Sequence, residues 1–235
     1  LSVSLIDGLL SRGPRYQLPE LLARSFHAAV QARNIAGYVL SKHQEEVFIA
    51  ALLHHIGELA FWGCGGDQVD ELDDALAEPG ADPDAAVRKV LGTSFEQLTQ
   101  GLVKNWNLVP VASLAHVPAS PKSPAAYAVQ LGMRISEVAL DGWESPEMDD
   151  LVLQLAKFTG ISPEEALQQV LASADETVTV AATFGASKLC QLIPNTDPEQ
   201  IAFQREQRRA RLLQPNLQIM QQALQDLGLM LSSRA

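Results

Sequence analysis

Residues 43–62, "HQEEVFIAALLHHIGELAFW", constrain this chain more than any other stretch. Beyond Glu46 the apolar residues point in nearly every direction around a 3.6-residue turn, so the segment reads as one helix buried over most of its surface. Such a helix needs other apolar surfaces around it, and the rest of the chain supplies helices. "LPELLARSFHAAVQARNIAGYVLSK" places Leu22, Phe26, Val30, Ile35 and Val39 at helical spacing. "PDAAVRKVLG", "SFEQLTQGLVKNWNL" and "AAYAVQLGMRISEVAL" read the same way. Ala, Leu and Gln are abundant and aromatics few, which favours helix because those side chains lose little rotamer freedom there. No stretch longer than a few residues alternates as a strand does. The expected fold class is all-α.

Punctuation divides these helices. "GCGG" (63–66) stops the buried helix, and a Pro-rich turn, "HVPASPKSP", precedes "AAYAVQLGMRISEVAL". "SPEMDD" and "SPEEAL" each put Ser at a cap, Pro at the first helical position and acids in the first turn. The polar turn "DGWESPEMDD" suggests a boundary, giving an expected core domain over 1–143 and a helical extension over 144–235.

Charge and composition exclude several roles. A formal net charge of −11 opposes nucleic acid and anionic membrane surfaces. No run of 18 apolar residues exists, so no membrane insertion is expected, and the first residues lack the features of a signal peptide. Cys64 and Cys190 form no C-x-x-C and read as free thiols of a reducing cytoplasm. Residues 67–84 hold eight carboxylates and no basic residue, without a calcium-loop pattern, and read as a solvated acidic surface. "GCGGDQ" lacks the Lys-Ser/Thr of a phosphate loop, and no G-x-S-x-G elbow occurs. Arg205, Arg208, Arg209 and Arg211 wrap around their helix, and read as a solvated face or, alternatively, a dock for an acidic partner or for phosphate. Leu217, Met220, Leu224, Leu227 and Leu231 fit two heptads, with packing inside the chain preferred over a homodimer seam.

On a continuous helix, neighbours point about 100° apart, so His54 and His55 could not readily grip one metal ion together. Read alone they are satisfied core or near-surface histidines. The segment resembles, however, the signature helix of the HD superfamily of metal-dependent phosphohydrolases, and specifically the HDOD subgroup, where "LLHDIG" stands in place of "LLHHIG". "FHAAVQARNIA" resembles that family's first helix, 27 residues upstream from His27 to His54. "VLGTSFEQLTQGLVKNW" resembles its "lG.sH..vG..Ll..W", with Trp106 in place. The resemblance spans roughly residues 1–143.

The resemblance implies a metal held by His, a His-Asp pair and a later Asp. Here His27 and His54 match the histidines, His55 stands at the paired Asp, and Gly132 and Met133 stand where the family carries "lAD". Phe95 replaces the His of "lG.sH", and His116 is an additional candidate. With the carboxylates gone, two neutral imidazoles suit a hard cation poorly, so no metal cofactor and no catalysis are expected. The resemblance further implies a bacterial cytoplasmic signalling module that works through protein partners. The alternatives are a surviving divalent-metal phosphohydrolase drawing a carboxylate from elsewhere, such as Glu58, or a nucleotide sensor using His27 and His54. The subgroup has helices ahead of the first His that "LSVSLIDGLL" matches only at their end, so the chain is expected to be a piece or a shortened member.

Overall fold

Each helix begins where the sequence supplies a cap or a packing surface. The computed structural model describes residues 17–64, 66–108, 123–194, 196–197 and 206. Among these all regular structure is helical: α1 (Gln17–Val39), α2 (Gln44–Leu52), α3 (Ile56–Cys64), α4 (Asp67–Ala77), α5 (Pro83–Leu91), α6 (Phe95–Asn105), α7 (Pro124–Val138), α8 (Pro146–Thr159) and α9 (Pro163–Thr183), with 3-10 turns at Ala139–Asp141 and Ser187–Leu192. The fold is all-α. The Ser-Pro-Glu starts behave as their chemistry dictates. The Met148 N–H donates to Ser145 Oγ (3.1 Å), and Ser162 and Glu165 close a reciprocal capping box. Gly160, at φ 80°, ends α8 in the left-handed conformation that glycine adopts without strain.

Contacts divide the chain into two units, Leu1–Gly65 with Phe95–Ile201 and Gly66–Ser94 with Ala202–Ala235. In the second, α4 and α5 bury Val69, Leu72, Val87 and Val90, while Asp67, Asp70, Glu71, Asp74, Glu78, Asp82 and Asp84 face solvent. The acidic stretch is thus largely the solvated surface its composition suggests, and Asp82 also caps α5.

In the first unit α1 is the central helix, and α7 is the neighbour it packs against most extensively, followed by α2 and α9. Small residues make this closeness feasible. A Cβ on Gly132 would lie 2.7 Å from the Ala28 carbonyl oxygen and 2.7 Å from the Ala32 nitrogen. The shared core takes Ala28, Ala29, Ala32 and Ile35 from α1, Leu131 and Ile135 from α7, and Met148, Leu151, Leu155, Val170 and Ala174 from α8 and α9. The polar turn before α8, where the sequence suggests a boundary at 143, therefore joins helices of one core, and Trp143 itself is buried in it. On the surface a polar ladder ties α1 to α9: Arg33 to Glu176 (2.6 Å), Asn34 to Glu176 (2.7 Å) and to Ser173 (3.0 Å), and Tyr38 to Gln169 (3.0 Å).

The expected single helix over 43–62 is instead two. α2 ends at Leu52, α3 starts at Ile56, and their axes differ by 43°. Between them the backbone tightens to i→i−3 bonds, His54 N–H to Ala51 and Ile56 N–H to Leu53. The cause is tertiary. The Gly57 N–H donates to Thr99 Oγ1 on α6 (3.1 Å), a bond an uninterrupted helix would direct to Leu53. A Cβ on Gly57 would come within 2.5 Å of the Thr99 nitrogen, so glycine lets α3 seat against α6. Among the described residues no single helix is long and apolar enough to cross a membrane; α2 and α3 reach that length and composition only as this bent pair.

Candidate functional site

His27 is the most buried of the candidate residues, fully excluded from solvent in the middle of α1. Burial alone lowers its pKa from 6.5 to about 3, so the ring is neutral at neutral pH. Its tautomer follows from Gln31, one turn on. The Gln31 side-chain nitrogen lies 2.8 Å from the Val170 carbonyl oxygen and 3.0 Å from His27 Nε2. Only an NH2 group can sit opposite that carbonyl, since an amide oxygen there would face another oxygen. Gln31 therefore donates to both, His27 Nε2 accepts, and the ring proton resides on Nδ1. Trp143 packs edge-on against the ring at 6.0 Å.

His54 and His55 sit in the break between α2 and α3. Their rings meet edge to face at 4.7 Å. The break, and not the 100° step of a helix, sets their orientation. His55 Nδ1 lies 3.8 Å from Glu58 Oε2, and Glu58 Oε1 accepts from the Trp62 indole N–H at 3.3 Å. Burial lowers the His55 pKa to about 3, with further depression from His54 and Arg24. Burial also raises the Glu58 carboxyl above its ordinary value, opposed by the Trp62 bond and by Arg24. The result is a half-buried polar cluster where α1 meets α3.

The other positions that the resemblance singles out take part in packing. Met133 is buried in the α7 core, and its backbone carbonyl accepts from Ser136 Oγ at 2.7 Å. Gly132 is the contact point with α1. Phe95, where the resemblance places a histidine, packs against Phe61 at 5.6 Å. Trp106 is half exposed. Cys64 and Cys190 are free thiols. His116, Arg205, Arg208, Arg209 and Arg211, and the Leu217–Leu231 series, lie outside the described residues.

This donor set does not fit a divalent cation. His27 offers no spare lone pair, because Nε2 receives the Gln31 N–H and Nδ1 carries the proton. The two positions where the resemblance places aspartate, His55 and Met133, hold a neutral imidazole and a buried thioether, so no negative oxygen enters from them. Glu58 is the carboxylate near the pair, and Arg24 competes for it. Among the described residues, no three of His, Cys, Asp and Glu are grouped to hold a metal ion.

Three participants escape a motif-based reading: Arg24, Gln31 and Trp143. The first two are visible in retrospect, since Arg24, His27 and Gln31 recur at the three-and-four spacing of one helical face. Trp143 is not, because its contact with His27 spans the whole core.

The comparison with known families follows from the same residues. No curated protein and no solved structure matches the chain. The family model of the HDOD domain does match, over residues 1–116, a span that includes His27, the His54–His55 pair and Phe95 and stops before Gly132 and Met133. A helical core whose central helix carries His27, followed by a broken helix carrying the histidine pair, is what that match covers, and the chain carries an HDOD domain over residues 1–116.

Proposed function

We propose that this protein is a non-catalytic module of the HDOD type that works in signal transduction by holding protein partners in the cytoplasm. The observation that supports this most is the state of His27. The ring at the position of the family's first ligand is committed to Gln31 on one nitrogen and protonated on the other, deep in a core completed by α9. At the positions where the resemblance puts aspartate, His55 and Met133 bring imidazole and thioether, not the negative oxygens that a phosphohydrolase needs to hold its metal and acidify a water. A scaffold that keeps the helices but not the chemistry retains its surface as its working part.

The test is elemental analysis of the purified full chain together with a phosphatase and phosphodiesterase screen in added Mn²⁺. The expected result is substoichiometric metal and no turnover above a metal-only blank. Stoichiometric metal that is lost in a His54→Ala variant, with turnover lost in parallel, would refute the proposal.

A further inference from the structure

Beside the ladder that joins α1 to α9, the start of α2 closes an open groove of about 580 Å³. Arg33, Asn34, Gly37 and Tyr38 line it from α1, Gln44 and Glu45 from α2, and Gln169 and Glu176 from α9. Clefts that take small groups span about 300–1,000 Å³, so there is room for a side chain brought by a partner. Gly37 keeps the space clear. A Cβ there would meet nothing within 4 Å, so no packing among the described residues calls for glycine in the last turn of α1, although glycine is a poor helix former.

The donors of this wall are largely spent on one another. The Arg33 guanidinium donates to Glu176 Oε1 (2.6 Å) and Asn34 Oδ1 (3.3 Å) and lies over the Phe48 ring at 5.6 Å. The Asn34 amide donates to Glu176 Oε2 and Ser173, the Tyr38 hydroxyl to Gln169, and the Gln44 amide to the Leu40 carbonyl. What remains is acceptor capacity: Gln44 Oε1, the second lone pairs of Glu176, and the Glu45 carboxylate, which pairs with no cation among the described residues. Formal charge agrees. Two carboxylates, Glu45 and Glu176, against the one guanidinium of Arg33 leave a single net negative charge, and the roughly +0.5 of the α2 N-terminus offsets only half of it. An anion would be repelled there and would find Arg33 already held on three sides. A guanidinium fits, because it presents five N–H donors in one plane, no acceptor and a permanent positive charge. We infer that the groove of α1, α2 and α9 receives an arginine side chain of a protein partner, with Glu45 and Glu176 as its counter-charges and the half-exposed Tyr38 as its apolar rim. That the arginine belongs to a protein rests on the proposed role in holding partners; the preference for a guanidinium rests on the groove alone.

The probe is the blocked tripeptide acetyl-Gly-Arg-Gly-amide, titrated into the ¹⁵N-labelled full chain at constant ionic strength beside its citrulline and glutamate counterparts. Citrulline keeps the shape of arginine and loses the charge. Saturable amide shifts are expected over residues 33–38 and 44–45 with the arginine peptide, weaker binding with citrulline and none with glutamate. Glu45→Gln, an exposed change, should weaken the arginine peptide about twofold to fivefold, the scale of one exposed ion pair. Gly37→Leu fills the groove and should abolish the shifts while circular dichroism shows the chain still folded, since the new side chain starts in open space. No saturable shifts with the arginine peptide, a glutamate peptide bound as tightly, or affinity unchanged in Gly37→Leu would each overturn the inference. Those results leave the metal and turnover assays untouched, so the inference can fall while the non-catalytic reading stands, and turnover would sink that reading without moving these shifts.

Discussion

Replacing Gly132 with alanine adds one methyl group, and the structure says where it goes. The new Cβ would stand 2.7 Å from the Ala28 oxygen, 2.7 Å from the Ala32 nitrogen and 2.9 Å from the Ala32 Cβ. Two of those three neighbours are backbone atoms of α1, which cannot rotate aside, so α1 and α7 must separate until the contacts exceed 3.0 Å. That parting loosens the largest helix pair of the core. Overpacking of this kind costs typically about 1–3 kcal/mol and occasionally more. Alanine returns roughly 0.8–1 kcal/mol through helix propensity. The clash wins because it is met by backbone. Gly132→Ala should therefore destabilise by about 1–2 kcal/mol, read as a lower urea midpoint by circular dichroism at unchanged slope. The control is Gly37→Ala in the same α1, where an added Cβ meets nothing within 4 Å. It should stabilise by up to about 1 kcal/mol. If Gly132→Ala is as stable as the parent, or if the two variants shift the same way, the packing argument is wrong.

Further outcomes follow from the same residues. Gly57→Ala, whose Cβ would meet the Thr99 backbone at 2.5 Å, should also destabilise, whereas Gly101→Ala on open α6 surface should not, by the same urea assay. Met133→Asp, an attempt to restore the family carboxylate, places a charge in a 6%-exposed position without a partner, and should cost several kcal/mol or abolish soluble expression. Acid should destabilise: His27 and His55 titrate near 3 when folded and near 6.5 when unfolded, so the unfolded state binds more protons in that interval. Their contribution is complete above 6.5 and fades as pH falls, by about 1.4 kcal/mol per group per pH unit. Glu58, with its raised folded value, acts in the opposite sense above 4.5. Urea midpoints at pH 7 and 5 should differ accordingly, and His55→Asn should flatten the dependence; a flat profile in the parent would contradict the burial of these rings.

What the sequence disclosed was whatever is decided within a few residues. Ser145 and Ser162 cap their helices through bonds reaching three residues ahead, and that chemistry is readable as Ser-Pro-Glu. The acidic solvated surface of α4 and α5 was equally legible, because seven exposed carboxylates need no distant partner. The break at His54–His55 was not. The hydroxyl that takes the Gly57 N–H belongs to Thr99, 42 residues on, and the apolar pattern runs through the break uninterrupted. The same limit applies to the turn at 143, where local polarity suggested a boundary and long-range burial of Trp143 joined the two sides. At the candidate site, the motif identified His27, His54 and His55. It could not reveal that the Gln31 amide fixes the His27 proton, since that depends on the Val170 carbonyl, 139 residues away.

The ladder between α1 and α9 bears on how the polypeptide matures. Asn34 and Ser173 are 139 positions apart, and Tyr38 meets Gln169 across a similar interval. Contacts of such separation close late, because the intervening loop entropy must be overcome first. During synthesis the side of α1 that meets α9 stays uncovered until α9 has been translated, whereas α2 and α7 can cover its other sides earlier. A nascent chain paused before residue 163 therefore carries Gln31, Arg33 and Asn34 without the partners that Val170, Glu176 and Ser173 later supply, while one extended past residue 183 can satisfy them.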